Sequence, residues 1–172
     1  MTYISRRRFL KIVPLGMLPN PGSSLQTAAK FSSELPTVCM FSKHLPFLGY
    51  QVLATTLKSM GFDGVDLTVR PHGHVLPQNV ENDLPRAAEL IRREGIGLPM
   101  ITTGLTSPRD PAAQRTLQTA GQLKIPYYKL GYYSYSDLTT FEKTLTQVKK
   151  SVEGLAAIGR HAGVQGGFHT HS

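Results

Sequence analysis

Apolar positions along this chain switch repeatedly between two spacings, and the switching predicts the architecture. Residues 37–42, TVCMFS, are a short apolar run of the kind a buried strand shows. From 47 to 60, Leu48, Val52, Leu53, Leu57 and Met60 recur every three or four positions, which lines them along one helix face, and Gly61 is a suitable stop. A second strand follows over 64–70, GVDLTVR, with Pro71 and Gly73 as turn formers at its exit. Over 80–94, Val80, Leu84, Ala87, Ala88 and Ile91 mark the next helix; Pro85 places its true start near Asp83, with Asp83 capping. A third strand is predicted over 97–103, GLPMITT, then a loop to the Asp110-Pro111 pair and a helix over 112–123 with Leu117, Ala120 and Leu123 inward. The fourth strand is 127–132, YYKLGY, and Asp137 or Thr139 caps the helix after it. Phe141, Leu145, Val148, Val152, Leu155 and Ile158 make that helix the most regular in the chain; Gly163 closes it, and a fifth strand runs over 164–169.

Strand and helix therefore alternate through five strands and four helices, in units of a length that suits parallel crossovers. Two α/β architectures accommodate the pattern. One is a doubly wound five-stranded sheet; the other is a partial (β/α)8 TIM-barrel. Neither a G-x-G-x-x-G after the first strand nor a Walker motif is present, which disfavours a nucleotide-binding sheet.

Composition narrows the function classes. The 172 residues are 40% hydrophobic and carry a formal charge of +8. Arg6, Arg7, Arg8, Lys11 and Lys30 come before any acid, and the remaining 14 basic and 11 acidic residues leave about +3. That balance is too mild for nucleic acid binding. No run reaches the roughly 18 apolar residues of a membrane span. The single cysteine, Cys39, forms no internal disulfide; in its run VCMF it is a core residue or, less in keeping with that run, a reactive thiol.

Residues 1–30 read as a leader rather than as part of the fold. Ser5 to Lys11, SRRRFLK, resembles the twin-arginine export motif of bacteria, which implies a periplasmic or exported protein. Pro14, Pro19 and Pro21 break the apolar segment that follows, so a disordered basic arm on a cytoplasmic protein is the competing reading.

The stretch 61–75, GFDGVDLTVRPHGHV, continuing through LPQNVENDLPRAAELIRREGIGLPMITTG, resembles the xylose-isomerase-like TIM-barrel superfamily. That superfamily is broadly one of sugar phosphate isomerases and epimerases, with endonuclease IV and inosose dehydratase relatives. The nearest likeness is to a branch with twin-arginine leaders. The resemblance spans 37–172 and the first five of eight strands, so the expectation is a barrel truncated after its fifth strand. Such a barrel, left open, exposes two sheet edges suited to self-association. The resemblance implies a polar mouth, a divalent metal (Mn, Zn or Co) and chemistry on a small polyol or sugar. In sugar epimerases of this type the metal ligands are carboxylates and a histidine on the fifth to eighth strands. Here the fifth strand ends in His169-Thr170-His171, similar to the H-x-H of the inosose dehydratase branch, and most other ligands would lie beyond it.

Candidate chemistry gathers at the strand ends. His44 follows the first strand and is a hydroxyl ligand or a surface imidazole. Asp66, within the second, is a substrate contact or half of a salt bridge with Arg70 or Lys129. Arg70 offers a donor fork for vicinal hydroxyls, a carboxylate or a phosphate. Of His72 and His74, the resemblance favours His74 as catalytic. Thr102 and Thr103 end the third strand, and Thr103 is taken as the substrate-binding hydroxyl. Lys129 is a catalytic base if it points inward, or an ordinary lysine reaching water. Tyr132, Tyr133 and Tyr135 form a wall for a sugar ring or plain loop packing; Tyr132 is the substrate-binding choice. His169 and His171 are the metal-ligand pair.

The leading functional expectation is a metal-dependent sugar (phosphate) isomerase or epimerase, moving a proton on a polyol or keto-sugar with the enediolate stabilised. Alternatives are a non-catalytic remnant or sugar-binding module of the same fold, and an inosose-dehydratase-like lyase. A metal-dependent DNA endonuclease fits the mild charge of the body poorly.

Overall fold

The computed structural model describes residues 37–134 and 141–169. The leader 1–30, Tyr135, the caps Asp137 and Thr139, Thr170 and His171 lie outside the described residues.

Five strands alternate with four helices: β1 (Cys39–Phe41), α1 (Tyr50–Ser59), β2 (Gly64–Val69), α2 (Val80–Arg93), β3 (Gly97–Thr103), α3 (Ala113–Gln122), β4 (Tyr127–Lys129), α4 (Phe141–Ala162) and β5 (Gln165–Gly167). Short 3-10 turns at Ser42–His44 and Pro77–Asn79 lead out of β1 and into α2. The second of these turns corrects the expected helix start. It feeds α2 from Val80, which is fully buried, so Pro85 lies inside the helix rather than in its first turn. The missing N–H there costs one intrahelical bond.

All strand pairs are parallel, and the sheet order is β1-β2-β3-β4-β5. This order decides between the two architectures that the sequence pattern leaves open. A doubly wound sheet reverses its strand order at a switch point and carries helices on both faces. An unbroken sequential order with crossovers of one hand puts every helix on one face, as in a (β/α) barrel. The helices pack accordingly, α1 on α2, α2 on α3 and α3 on α4. The chain is an α/β protein of partial TIM-barrel type.

Alternation along the strands sorts side chains into two sets. Val65, Leu67 and Val69 of β2, Ile101 of β3 and Tyr128 of β4 turn to the helices and join Leu53, Leu57, Leu84, Ile91, Leu117 and Leu155 in one core. Leu67, Ile101 and Tyr128 are register partners across three strands. Asp66, Thr68, Thr102 and Lys129 fall on the opposite, concave face. One irregularity sets this phase. Between Gly64↔Gly97 and Asp66↔Met100 the third strand carries an extra residue, a bulge around Pro99. Proline lacks the ladder donor, and a one-residue slip exchanges the faces of everything after it.

The periodic face of α4 is only half used. Leu155 is fully buried, while Phe141 and Leu145 remain 39% and 49% exposed. Close approach of α4 to α3 depends on Gly121, where a methyl group would overlap the carbonyl oxygen of Ala162.

Candidate functional site

The concave face carries a line of polar side chains across three neighbouring strands. Thr102 on β3 donates its hydroxyl to Asp66 Oδ2 on β2 at 2.7 Å, and Thr102 is the register partner of Lys129, the last residue of β4. Asp66 is 8% exposed and Thr102 fully buried. The other carboxylate oxygen, Oδ1, is buried and has no hydrogen-bond partner among the described residues. Burial pushes the Asp66 carboxyl above the usual aspartate range; the Thr102 bond and the positive charges of Lys129 and Arg70 pull the other way and do not cancel it.

The two cations are supported by aromatic rings rather than by carboxylates in direct contact. Lys129 Nζ sits 3.9 Å from the centroid of the Tyr132 ring and donates to the Leu130 carbonyl at 3.3 Å. The Arg70 guanidinium lies 5.9 Å from the Phe41 ring centroid. Phe41 also meets the His44 ring edge-on at 5.8 Å. Cation–π contacts hold such groups in place without neutralising them. Asp66, Arg70, Lys129, His44 and Tyr132 thus gather on the concave side, at or near the carboxyl ends of β1, β2 and β4, together with Phe41, which sequence reasoning passed over.

Thr103 goes elsewhere. It shares the helix-facing side with Ile101, donates to the Lys129 carbonyl at 2.7 Å and accepts the Leu105 N–H at 3.3 Å. It fixes the backbone at the end of β4, while Thr102 takes the place beside Asp66. The bulge near Pro99 makes this exchange, since without the extra residue Thr103 would fall in phase with Asp66.

His74 is enclosed rather than presented. Its Nδ1 lies 3.1 Å from Thr68 Oγ1, and its Nε2 is buried and has no hydrogen-bond partner among the described residues. Burial lowers its pKa, opposed in part by the nearby carbonyls of Leu45 and Leu48. His72 is exposed in the same turn with φ of 59°, a left-handed conformation. Tyr133 donates to the Thr106 carbonyl at 2.7 Å and packs against Phe168, so it braces loops. Cys39 is half-buried against Gly64; burial, with the Asp66 charge adding to it, raises its pKa and keeps it a thiol.

His169 is exposed, two residues beyond Gly167, the register partner of Lys129. His171 lies outside the described residues. Among the described residues no three His, Cys, Asp or Glu side chains converge as metal ligands. The buried orphan oxygen of Asp66 is no substitute, because two cations beside that carboxylate are the wrong surroundings for a divalent ion. The described residues therefore do not fit a metal at this place.

A cleft of about 540 Å³ runs along β4 and β5 toward α4, lined by Tyr128, Leu130 and Gly166 and by Val152, Ala156 and Arg160 of α4. It opens toward α4, whereas Asp66, Thr102 and Lys129 lie on the concave face, and in barrels of this kind the chemistry sits at the carboxyl ends.

No family model matches the chain, and no curated protein matches it. Among solved structures the chain is similar to a candidate xylose isomerase from Rhodospirillum rubrum, at 13% identity and a TM-score of 0.59, over 75% of this chain and 52% of that one. It is also similar to a xylose isomerase-like TIM barrel protein from Mycobacterium smegmatis in complex with magnesium, at 14% identity and a TM-score of 0.57, over 80% of this chain and 55% of that one. The chain spans about half the length of these structures. At such identities the likeness is one of fold.

Proposed function

We propose that this chain, whose fold is that of xylose isomerase-like barrels, carries part of a sugar or polyol site of isomerase or epimerase type on its concave face. The observation that supports it is the placement of Arg70 and Lys129, two ring-held cations, beside the Asp66–Thr102 pair. When the C–H bond next to a substrate carbonyl breaks, its proton leaves to a base and its electron pair moves onto oxygen as an enediolate. Fixed positive charges aimed at that oxygen lower the barrier to its formation. Returning the proton to the neighbouring carbon isomerises the sugar; returning it to the opposite face epimerises it. The same cations suit the phosphate of a sugar phosphate. His44, exposed at the rim, is the imidazole with access to a bound sugar, and Tyr132 offers a ring face. Lys129 is proposed as the catalytic cation, His169 as a contributor beyond β5.

A divalent metal is part of this reading only through residues outside the described set, and no step here is assigned to one. The twin-arginine-like SRRRFLK supports export as a further part of the proposal. A sugar-binding module is the second reading, favoured by the enclosure of His74, which removes one candidate base from the rim.

The test is proton exchange. Incubation of the whole chain with a panel of ketoses, aldoses and their phosphates in deuterated water should place deuterium beside the carbonyl of one of them, and Lys129→Met should abolish it. Saturable binding without exchange supports the sugar-binding reading; neither binding nor exchange overturns the site.

A further inference from the structure

The chain leaving β2 doubles back. Gly73 N–H bonds the Arg70 carbonyl at 2.9 Å and Val75 N–H the Thr68 carbonyl at 3.1 Å. A Cβ at Gly73 would fall 2.9 Å from both of those carbonyl oxygens, so only glycine folds the turn this tightly. The turn returns His74 to Thr68, where four polar contacts close on one another. Thr68 N–H donates to Ser42 Oγ at 2.9 Å, His74 N–H donates to Thr68 Oγ1 at 3.0 Å, the two hydroxyls are 3.3 Å apart, and Thr68 Oγ1 lies 3.1 Å from His74 Nδ1. From the other side, Tyr50 at the start of α1 donates its hydroxyl to the His74 carbonyl at 3.0 Å.

Counting protons fixes the direction of this network. Ser42 is fully buried and Thr68 is 1% exposed, so each hydroxyl hydrogen needs an acceptor among these atoms. One arrangement satisfies both hydroxyls: Ser42 donates to Thr68, Thr68 donates to Nδ1, and the imidazole proton sits on Nε2, where the Leu45 and Leu48 carbonyls lie near the ring but, among the described residues, no hydrogen bond closes. A proton added at Nδ1 reverses the chain. Thr68 must then donate to Ser42, whose Oγ already accepts the Thr68 N–H, and the Ser42 hydroxyl hydrogen is left with nothing to bond. A buried donor so stranded, beside a buried charge, favours opening.

We infer that His74 is a proton-operated latch on the mouth: neutral, it holds the segment between β1 and α1 closed over β2, and on protonation it releases that segment. The segment carries His44 and follows Phe41, so the latch governs the rim at β1. Burial lowers the affinity of the ring for the proton, so release comes below the ordinary histidine range. Titratable side chains on the elements packed against it are Tyr50 on α1, which itself feels Asp83 and Arg86 of α2, Lys43 and His44 on the turn after β1, Asp66 on β2, Arg70 just past it, and His72 in its own turn; among the described residues none forms an ion pair with the ring. The inference does not depend on what the mouth binds.

Amide hydrogen exchange of the whole chain reads the latch. Leu45 and Leu48 N–H are bonded inside the segment, to the Ser42 and Leu45 carbonyls at 2.9 and 3.2 Å. After correction for intrinsic rates, their protection should be constant above pH 7 and fall about tenfold per pH unit below roughly 6.5. His74→Asn keeps an acceptor near Thr68 and cannot titrate; its protection should not depend on pH. Nitrogen-15 spectra of the wild-type ring supply a readout free of any variant, with the Nε2-protonated tautomer expected to persist below pH 6.5. Protection that does not change with acid, an equal acid response in His74→Asn, or a ring protonated at Nδ1 at pH 7 would each overturn the latch.

Discussion

Thr102 holds Asp66: its hydroxyl, fully buried on β3, donates to Oδ2 of the carboxylate on β2 at 2.7 Å. This bond ties two strands on the concave face, and among the described residues the other carboxylate oxygen has no hydrogen-bond partner. Replacing Thr102 by valine preserves shape and removes the donor. The loss should destabilise the chain by about 1–3 kcal/mol, the cost of leaving a buried acceptor unpaired. Chemical denaturation at pH 7 measures it, and the Asp66 carboxyl should titrate higher than in the wild type, because the bond lowers its pKa.

Asp66 also gives a pH signature. Its folded-state pKa is raised, so the folded chain holds this proton more tightly than the unfolded chain. The ionised carboxylate is a penalty that is fully present above the folded pKa. That penalty is relieved as pH falls through the folded value toward the unfolded value of about 3.9. The wild type should therefore gain stability relative to Asp66→Asn over that interval, and denaturation midpoints of the two proteins between pH 4 and 7 should converge or cross in that direction.

Lys129 is coupled to the same carboxylate. Its charge lowers the Asp66 pKa, so Lys129→Met should raise it, an effect followed by carbon-13 detection of the carboxyl. Lys129→Arg keeps the charge and should leave the Asp66 titration closer to the wild type. Any sugar binding should be lost in the methionine variant.

Gly121 tests the packing that supports the later strands. Alanine there overlaps the Ala162 carbonyl, a backbone atom that cannot swing aside. Gly121→Ala should separate α3 from α4 and destabilise the chain by about 1–3 kcal/mol, the usual cost of overpacking, as read by thermal unfolding.

The elements were legible because each is written locally: Leu53 and Leu57, or Leu84 and Ile91, repeat at the helical period and are all fully buried. Strand order was not, since periodicity says nothing of which strand lies beside which, and the sequential order had to come from the structure. At the site, the position of Arg70 at the exit of the second strand could be read from the chain, whereas Lys129 falls inside the fourth strand read over 127–132 and ends it in the structure. The exchange of Thr102 for Thr103 could not be read, because it depends on a bulge beside Pro99 that shifts phase by one residue. The enclosure of His74 was hidden for a similar reason. It rests on Ser42 and Thr68, 26 residues apart, meeting across two strands.

The account stands most directly on whether Asp66 and Lys129 answer to the same ligand. Carbon-13 and nitrogen-15 spectra of the Asp66 carboxyl and the Lys129 ammonium, recorded while sugars and sugar phosphates are titrated into the whole chain, measure this. The expected result is one compound that moves both signals along a single saturation curve, and leaves the Asp66 signal unmoved in Lys129→Met. A bound sugar that leaves both signals in place, or that shifts residues of the cleft between α4 and β5 instead, would contradict it.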